Sequence, residues 1–434
     1  MDSSKDFFEL YFDYVWDNTE SPRQFHRWCA VLGIAALLGR QAYIKHGHRT
    51  VYPNMLAMMI GNPGTRKSSA IDIIKHLLKD AGYKTFAGSR TSKEKFLQDM
   101  ADYAFDPDKS SAVTWGNDDL VLEEFKDPSE VFICSGEFNS FTGSGNIEFL
   151  SILGDLYDNP TDWDVRNKIS QSSNIHQPTI NILGGNTQQG FALCVPPEAM
   201  GQGFMSRLLL IFAEDKYQDI AFPDPPEVSI HNKLVEWLVN IRMNVRGEIQ
   251  LTPEAKQLLT ILYSEGSGIE DGRFSYYENR RFAHLLKLCI VVAAAKMRKI
   301  IDVEEVVYAN TMLSAIELDM PKALGEYGKA KLATLNNLIM QSLHESNGRG
   351  YNAQELFKRH SNDANGLKEV VECLTNLKIA GKITTLPNSL GKFIPVAKKV
   401  QKDKILNFDL LREFRKNETS KATGNVVQLA RPAS

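Results

Sequence analysis

The residues best suited to chemistry stand in one run, Gly61-Asn62-Pro63-Gly64-Thr65-Arg66-Lys67-Ser68-Ser69, preceded by the apolar stretch Met55–Ile60 and followed by an amphipathic one. Glycines let a backbone turn tightly and aim successive N–H groups at phosphate oxygens. A helix opening at the lysine adds partial positive charge at its N-terminus. In such a loop Lys67 reaches the β- and γ-phosphates of ATP, and the Ser68 hydroxyl can ligate Mg²⁺. The pattern G-x-x-x-x-G-K-[ST] asks for glycine before the lysine, and this chain has Arg66. Its side chain must point out of the loop, and a positive φ there would be strained. A glycine turn before a capped helix is the plainer reading, since a short motif alone matches by chance.

Hydrolysis also needs a group to handle water. The run VFICSGEFNSF ends an apolar stretch on Glu137, placed to orient or deprotonate the attacking water. The usual Asp-Glu pair is reduced to Gly136-Glu137, which leaves the metal to Ser68, phosphates and water, with Asp118 or Asp119 as helpers. The run TINILGGNT ends on Asn186, whose amide can hydrogen-bond the water or the γ-phosphate; a turn asparagine after a strand is the alternative. In GQGFMSRLLLIFAE, Arg207 opens a further apolar run. A guanidinium there suits a transferring phosphoryl group, supplied in trans if subunits form a ring; a surface salt bridge is the alternative.

The elements that must hold these residues follow from periodicity. Strands are expected at Met55–Ile60, Tyr83–Ala87, Val131–Cys134, Thr179–Leu183 and Arg207–Ala213, each short, apolar and bounded by turn residues. Helices fit between them at Ser68–Lys79, Lys93–Tyr103 and Ile147–Tyr157. That alternation predicts an α/β fold with a parallel five-stranded sheet. Residues 1–50 read as a helical segment, with a helix at Arg23–Leu38, and 51–226 as the core. Residues 227–328 read as a helical lid, with an apolar helix at Leu285–Met297. Three helices and two short strands over 329–397 have the order of a winged helix, and 398–434 form a basic, flexible tail.

Composition narrows the class. In 434 residues, 43% hydrophobic and 24% charged, no uncharged apolar run approaches the roughly 20 residues of a membrane span. No secretory signal is evident at MDSSKDFFEL. Five scattered cysteines without a CxxC pair argue for reduced thiols and against a zinc site, so a cytoplasmic location is expected. The net charge of −3 excludes a polybasic chain, but residues 391–434 carry ten Lys or Arg against four Asp or Glu. That basic segment is either a phosphate-seeking arm or a solvated tail.

The order of phosphate loop, acidic strand end, polar strand end and arginine resembles an AAA+ ATPase core. More narrowly, GNPGTRKSS, SGEFNSF, LYDNPTDWDVRNK, PTINILGGNT and GQGFMSRLLLIFAE resemble the P-loop ATPases of phage and plasmid replicative helicase type that stand beside primases. The resemblance covers roughly residues 22–300. It implies ATP and Mg²⁺ as cofactors, an oligomeric ring (a hexamer among the options) on DNA, and DNA replication with primase or other replication proteins as partners. It also implies the strand order 5-1-4-3-2, with nucleotide outside the carboxyl ends of the strands. The host would be bacterial and the location its cytoplasm.

Candidate DNA contacts complete the reading. TDWDVRNKISQSS alternates as a hairpin with Arg166 and Lys168 near its tip, suited to single-stranded DNA in a pore, or an ordinary surface hairpin. The loop Thr142–Asn146 is a second pore loop or a flexible turn. Lys368, Lys378, Lys382 and Lys392 could dock a winged helix on duplex phosphates, although many winged helices bind protein instead. Arg280, Arg281, His284 and Lys287 lie at helical spacings. Arg281 looks like a lid arginine able to touch the γ-phosphate, with a surface basic stripe as the alternative. The function expected is an ATP-driven DNA helicase or translocase of a phage or mobile element. A loader or initiator that binds without translocating, and a non-hydrolysing scaffold, are the rivals.

Overall fold

The computed structural model describes residues 5–103, 105, 127–165, 173–196, 203–325, 331–396 (except 347, 362, 363, 365, 380, 381, 388 and 390) and 405–415. These fall into two compact units. The larger runs to Leu324 and includes the 405–415 segment; the smaller begins at Gly325.

The larger unit is mixed α/β, built around four parallel strands. Glu130–Ser135 pairs with Thr179–Asn186, which pairs with Leu56–Ile60, which pairs with Leu208–Phe212. Two of the strands, Leu56–Ile60 and Thr179–Asn186, are buried at every residue. That accounts for continuous apolar runs without alternation. The expected strand at Tyr83–Ala87 shrinks to one parallel bridge between Phe86 and Phe132, with Ala87 N–H donating to Phe132 C=O at 3.0 Å. Counted in chain order with that bridge as second, the sequence across the sheet is 5-1-4-3-2, as the resemblance implies. Polar ends on Tyr83-Lys84-Thr85 leave too few apolar residues for a full strand there.

Helix Arg23–Leu38 packs against helix Lys67–Asp80 and the sheet and buries nearly every residue, Arg27 and His26 included. The N-terminal helices therefore belong to the same unit as the sheet. Helix Ser275–Ala295, longer than its apolar stretch, packs against Val303–Glu317, whose start is fixed by a capping box of Asp302 and Glu305. Part of the expected flexible tail is ordered. Helix Phe408–Arg415 buries Leu411 and Phe414, the Arg27 guanidinium lies 3.7 Å from the Phe414 ring centre, and Asn310 Nδ2 donates to Ile405 C=O at 2.9 Å. An apolar pair spaced three apart gives this segment one face to bury.

The smaller unit has helices Lys331–Glu345, Ala353–Arg359 and Leu367–Ile379, then the antiparallel pair Ile383–Thr385 and Phe393–Pro395. Tyr351 bridges to Phe393 as a third, minimal strand. Its core joins Leu335, Ile339, Leu356, Val370, Leu374 and Ile383. Among the described residues, no helix is long and apolar enough to cross a membrane.

Candidate functional site

Parallel strands of one sheet put their carboxyl ends along one edge, and three expected site residues arrive there together. Ile60 pairs with Asn186, and Ser135, two residues before Glu137, closes the next strand beyond Asn186's. The chain leaving Ile60 forms the loop 61–66 and enters helix Lys67–Asp80. Gly61 N–H donates to Asn186 C=O at 3.2 Å, which ties the loop to the neighbouring strand.

The loop closes around the lysine. Lys67 Nζ donates to Gly61 C=O, Asn62 C=O and Thr65 Oγ1, each at 2.9 Å, and Thr65 Oγ1 donates to Asn62 C=O at 2.9 Å. Burial pulls the Lys67 ammonium down to about 8, while the Glu137 carboxylate works in the other direction. Asn62, Pro63, Gly64, Ser68 and Ser69 are exposed, and Thr65 is buried. Gly64 takes φ 86°, and Arg66 takes φ 58°, the left-handed strain that its replacement of glycine implied. Its side chain does point out of the loop, where Nε meets Glu20 at 2.6 Å.

Gly136 and Gly185 are set by close approach. A Cβ on Gly136 would collide with Ser68 Oγ and lie 3.0 Å from Ser68 Cβ. One on Gly185 would lie 2.6 Å from Gly136 C=O and 3.3 Å from Lys67 Cβ. The start of the Lys67 helix is thus seated directly on two strand ends, and position 136 has no room for the aspartate that usually precedes the glutamate. Glu137 is exposed and begins helix Phe138–Thr142. A cleft of about 260 Å³ beside it is lined by Ser68, Asp72, Lys75, Ser135, Glu137 and Ser140, among others. Asn186 is 4% exposed, and its Nδ2 has no hydrogen-bond partner among the described residues. A buried amide left unpaired costs free energy unless a ligand or water meets it.

The donor set fits a magnesium–triphosphate. Mg²⁺ keeps most of its waters and takes one or two protein oxygens beside phosphates, and Ser68 offers an exposed hydroxyl. Asp72, four residues on along the same helix and lining the same cleft, was not singled out from sequence. The i, i+4 spacing from Ser68 was the available signal. Asp118 and Asp119 lie outside the described residues.

Arg207 goes elsewhere. It closes the short helix Gly203–Arg207 instead of opening the strand, at the amino edge, so one five-residue strand, about 16 Å, separates its backbone from the loop edge. Its guanidinium is paired with Asp158, which also accepts from Arg280 Nη1 at 2.8 Å. A charge so covered needs its partner, and that holds Arg207 inside its own chain.

The basic stripe on helix Ser275–Ala295 likewise faces inward. Arg281 is 4% exposed, and its Nε donates to Glu317 at 2.7 Å and its Nη2 to Asn310 Oδ1 at 3.0 Å. It is a buried ion pair rather than a lid arginine over a phosphate. His284 meets Ser206 C=O at 3.2 Å, and Lys287 Nζ donates to Asn54 Oδ1 at 2.6 Å. Burial lowers Lys287 to about 7.

Of the DNA-contact candidates, the hairpin is present as Asp162–Val165 paired with Ser173–His176, but Arg166 and Lys168 lie outside the described residues. The 142–146 loop is a tight turn between helices, with Asn146 Oδ1 accepting from Phe149 N–H. Lys368, Lys378 and Lys382 are exposed on the smaller unit, and Lys392 lies 3.9 Å from Glu355.

A scan against protein-family models finds none that matches the chain, and a search of curated proteins finds no significant match.

Proposed function

We propose that the larger unit is a P-loop ATPase core of AAA+ type that binds ATP with Mg²⁺ and hydrolyses it. The observation that carries this reading is the meeting, at one sheet edge, of the Lys67 loop, Glu137 and the unpaired amide of Asn186. In the bound state Lys67 would exchange its three loop acceptors for β- and γ-phosphate oxygens. The N–H groups of residues 61–69 would cradle the phosphates. Ser68 would hold Mg²⁺, which neutralises phosphate charge. Glu137 would take the proton of the attacking water, and Asn186 Nδ2 would donate to that water or to the γ-phosphate.

The larger role proposed is ATP-driven translocation on DNA in phage or mobile-element replication, by an oligomeric ring. Its support is the resemblance, the hairpin whose sequence carries Arg166 and Lys168, and the exposed lysines of the smaller unit, which has the element order of a winged helix. One observation favours a second reading, an ATP-gated loader or initiator: Arg207 is committed to Asp158 in its own chain and so leaves a ring without that trans arginine. ATP turnover measured with and without single-stranded DNA tests the choice. A motor is stimulated by the strand and unwinds a tailed duplex; DNA binding gated by ATP without unwinding selects the loader.

A further inference from the structure

Arg66 is the one position where the loop departs from its pattern, and the chain surrounds it with tethers. Its left-handed backbone is a conformation that glycine takes freely and arginine does not. Ser21 Oγ donates to Arg66 C=O at 2.6 Å. Glu20 meets Arg66 Nε at 2.6 Å, and also accepts from Lys216 Nζ at 2.8 Å and Ile220 N–H at 3.1 Å. Lys216, the Ile220 amide and Arg66, in that order, hold the Glu20 carboxyl near 2, so it is charged throughout the working range. Behind Ser21, its N–H donates to Thr19 Oγ1 at 3.1 Å, and that hydroxyl meets buried His26 Nε2 at 3.0 Å. Tyr217 N–H donates to Glu20 C=O at 2.8 Å, and Gln218 Nε2 to Thr19 C=O at 3.0 Å.

Two segments far apart in sequence, 19–21 and 216–220, therefore converge on the residue before Lys67. We infer that Glu20 and Ser21 are positioning residues for the phosphate loop: they fix Arg66 in the left-handed conformation that aims the loop N–H groups and Lys67 at phosphate. The arrangement replaces the freedom of glycine with an external latch. This rests on the nucleotide-binding reading given above, but the latch itself is a property of the loop and can be read without ligand.

The test is a titration of a non-hydrolysable ATP analogue with Mg²⁺ into the full chain and into Glu20→Gln, Ser21→Ala, Arg66→Gly and the doubles Glu20→Gln/Arg66→Gly and Ser21→Ala/Arg66→Gly. Amide hydrogen exchange over residues 61–70 of the free proteins is measured in parallel. Each single change at 20 or 21 is expected to raise Kd about three- to tenfold, the scale of one partly exposed polar tether, and to speed exchange in the loop. On the Arg66→Gly background the same changes are expected to move Kd less than about twofold, because glycine holds the conformation unaided. A purely structural loss would instead persist on that background, and that result overturns the latch, as does an unaltered Kd in both single variants. Should Glu20→Gln fail to fold, Ser21→Ala carries the same comparison. If the wild-type chain binds no nucleotide, the functional reading fails and exchange alone decides: faster exchange in the single variants upholds the latch, unchanged exchange overturns it.

Discussion

Ser68 Oγ lies against Gly136 Cα so closely that any side chain at 136 would strike it. The helix that begins at Lys67 and the strand that ends before Glu137 are locked at that contact, which sets the distance between the phosphate end and the water-activating end of the proposed site. Gly136→Ala is expected to push the helix start off the strand end and weaken Mg²⁺–ATP binding by about tenfold, on the usual scale of overpacking. Titration measures it. Unchanged affinity would mean that the contact yields without moving the loop.

Lys67 supplies a pH dependence. Burial lowers it to about 8 from an ordinary 10.5. Phosphate is met by the ammonium, so affinity for ATP should hold below pH 8 and fall as pH rises past it, with a proton taken up on binding near that pH. Calorimetry in buffers of different ionisation enthalpy at pH 8.5 counts the proton. A flat affinity from pH 7 to 9.5 would remove Lys67 from the phosphates.

Glu137→Gln keeps the shape and removes the base. ATP binding should persist while turnover falls by about two to four orders of magnitude, the usual scale for loss of a general base. Turnover at the wild-type rate would move the base elsewhere, with Asp72 in the same cleft the next residue to replace.

Arg207→Ala separates two roles. Held on Asp158, the guanidinium should act on stability, with an unfolding loss of about 1–2 kcal/mol, reduced because Asp158 keeps Arg280 and is partly exposed. Mixing this variant with Lys67→Ala protein should restore no activity. Recovery on mixing would return to Arg207 the trans role that its sequence position suggests.

These residues also show what the sequence could carry. Buried parallel strands announce themselves as unbroken apolar runs, so Leu56–Ile60 and Thr179–Asn186 were legible, and with them the positions of Lys67, Glu137 and Asn186. The direction in which a long cation points was not legible. Arg207, Arg281 and Lys287 have the spacing of a basic surface, and only the folded chain brings Asp158, Glu317 and Asn54 to them from 36 to 233 residues away. Glu20 and Ser21 were missed for the same reason. Position 66 announced a strained residue, but nothing local named the segment that holds it. The short helix at Phe408–Arg415 lies in a basic stretch whose charge masked its one apolar face.

The central claim is that Lys67 and its loop hold the phosphates of ATP. Its most direct test is calorimetric titration of ATP with Mg²⁺ into the wild-type chain and into Lys67→Ala. The account predicts saturable binding by the wild type and affinity at least about tenfold weaker in the variant, as expected for losing a charge-assisted contact. Equal affinity in the two proteins, or no binding by the wild type, would contradict it.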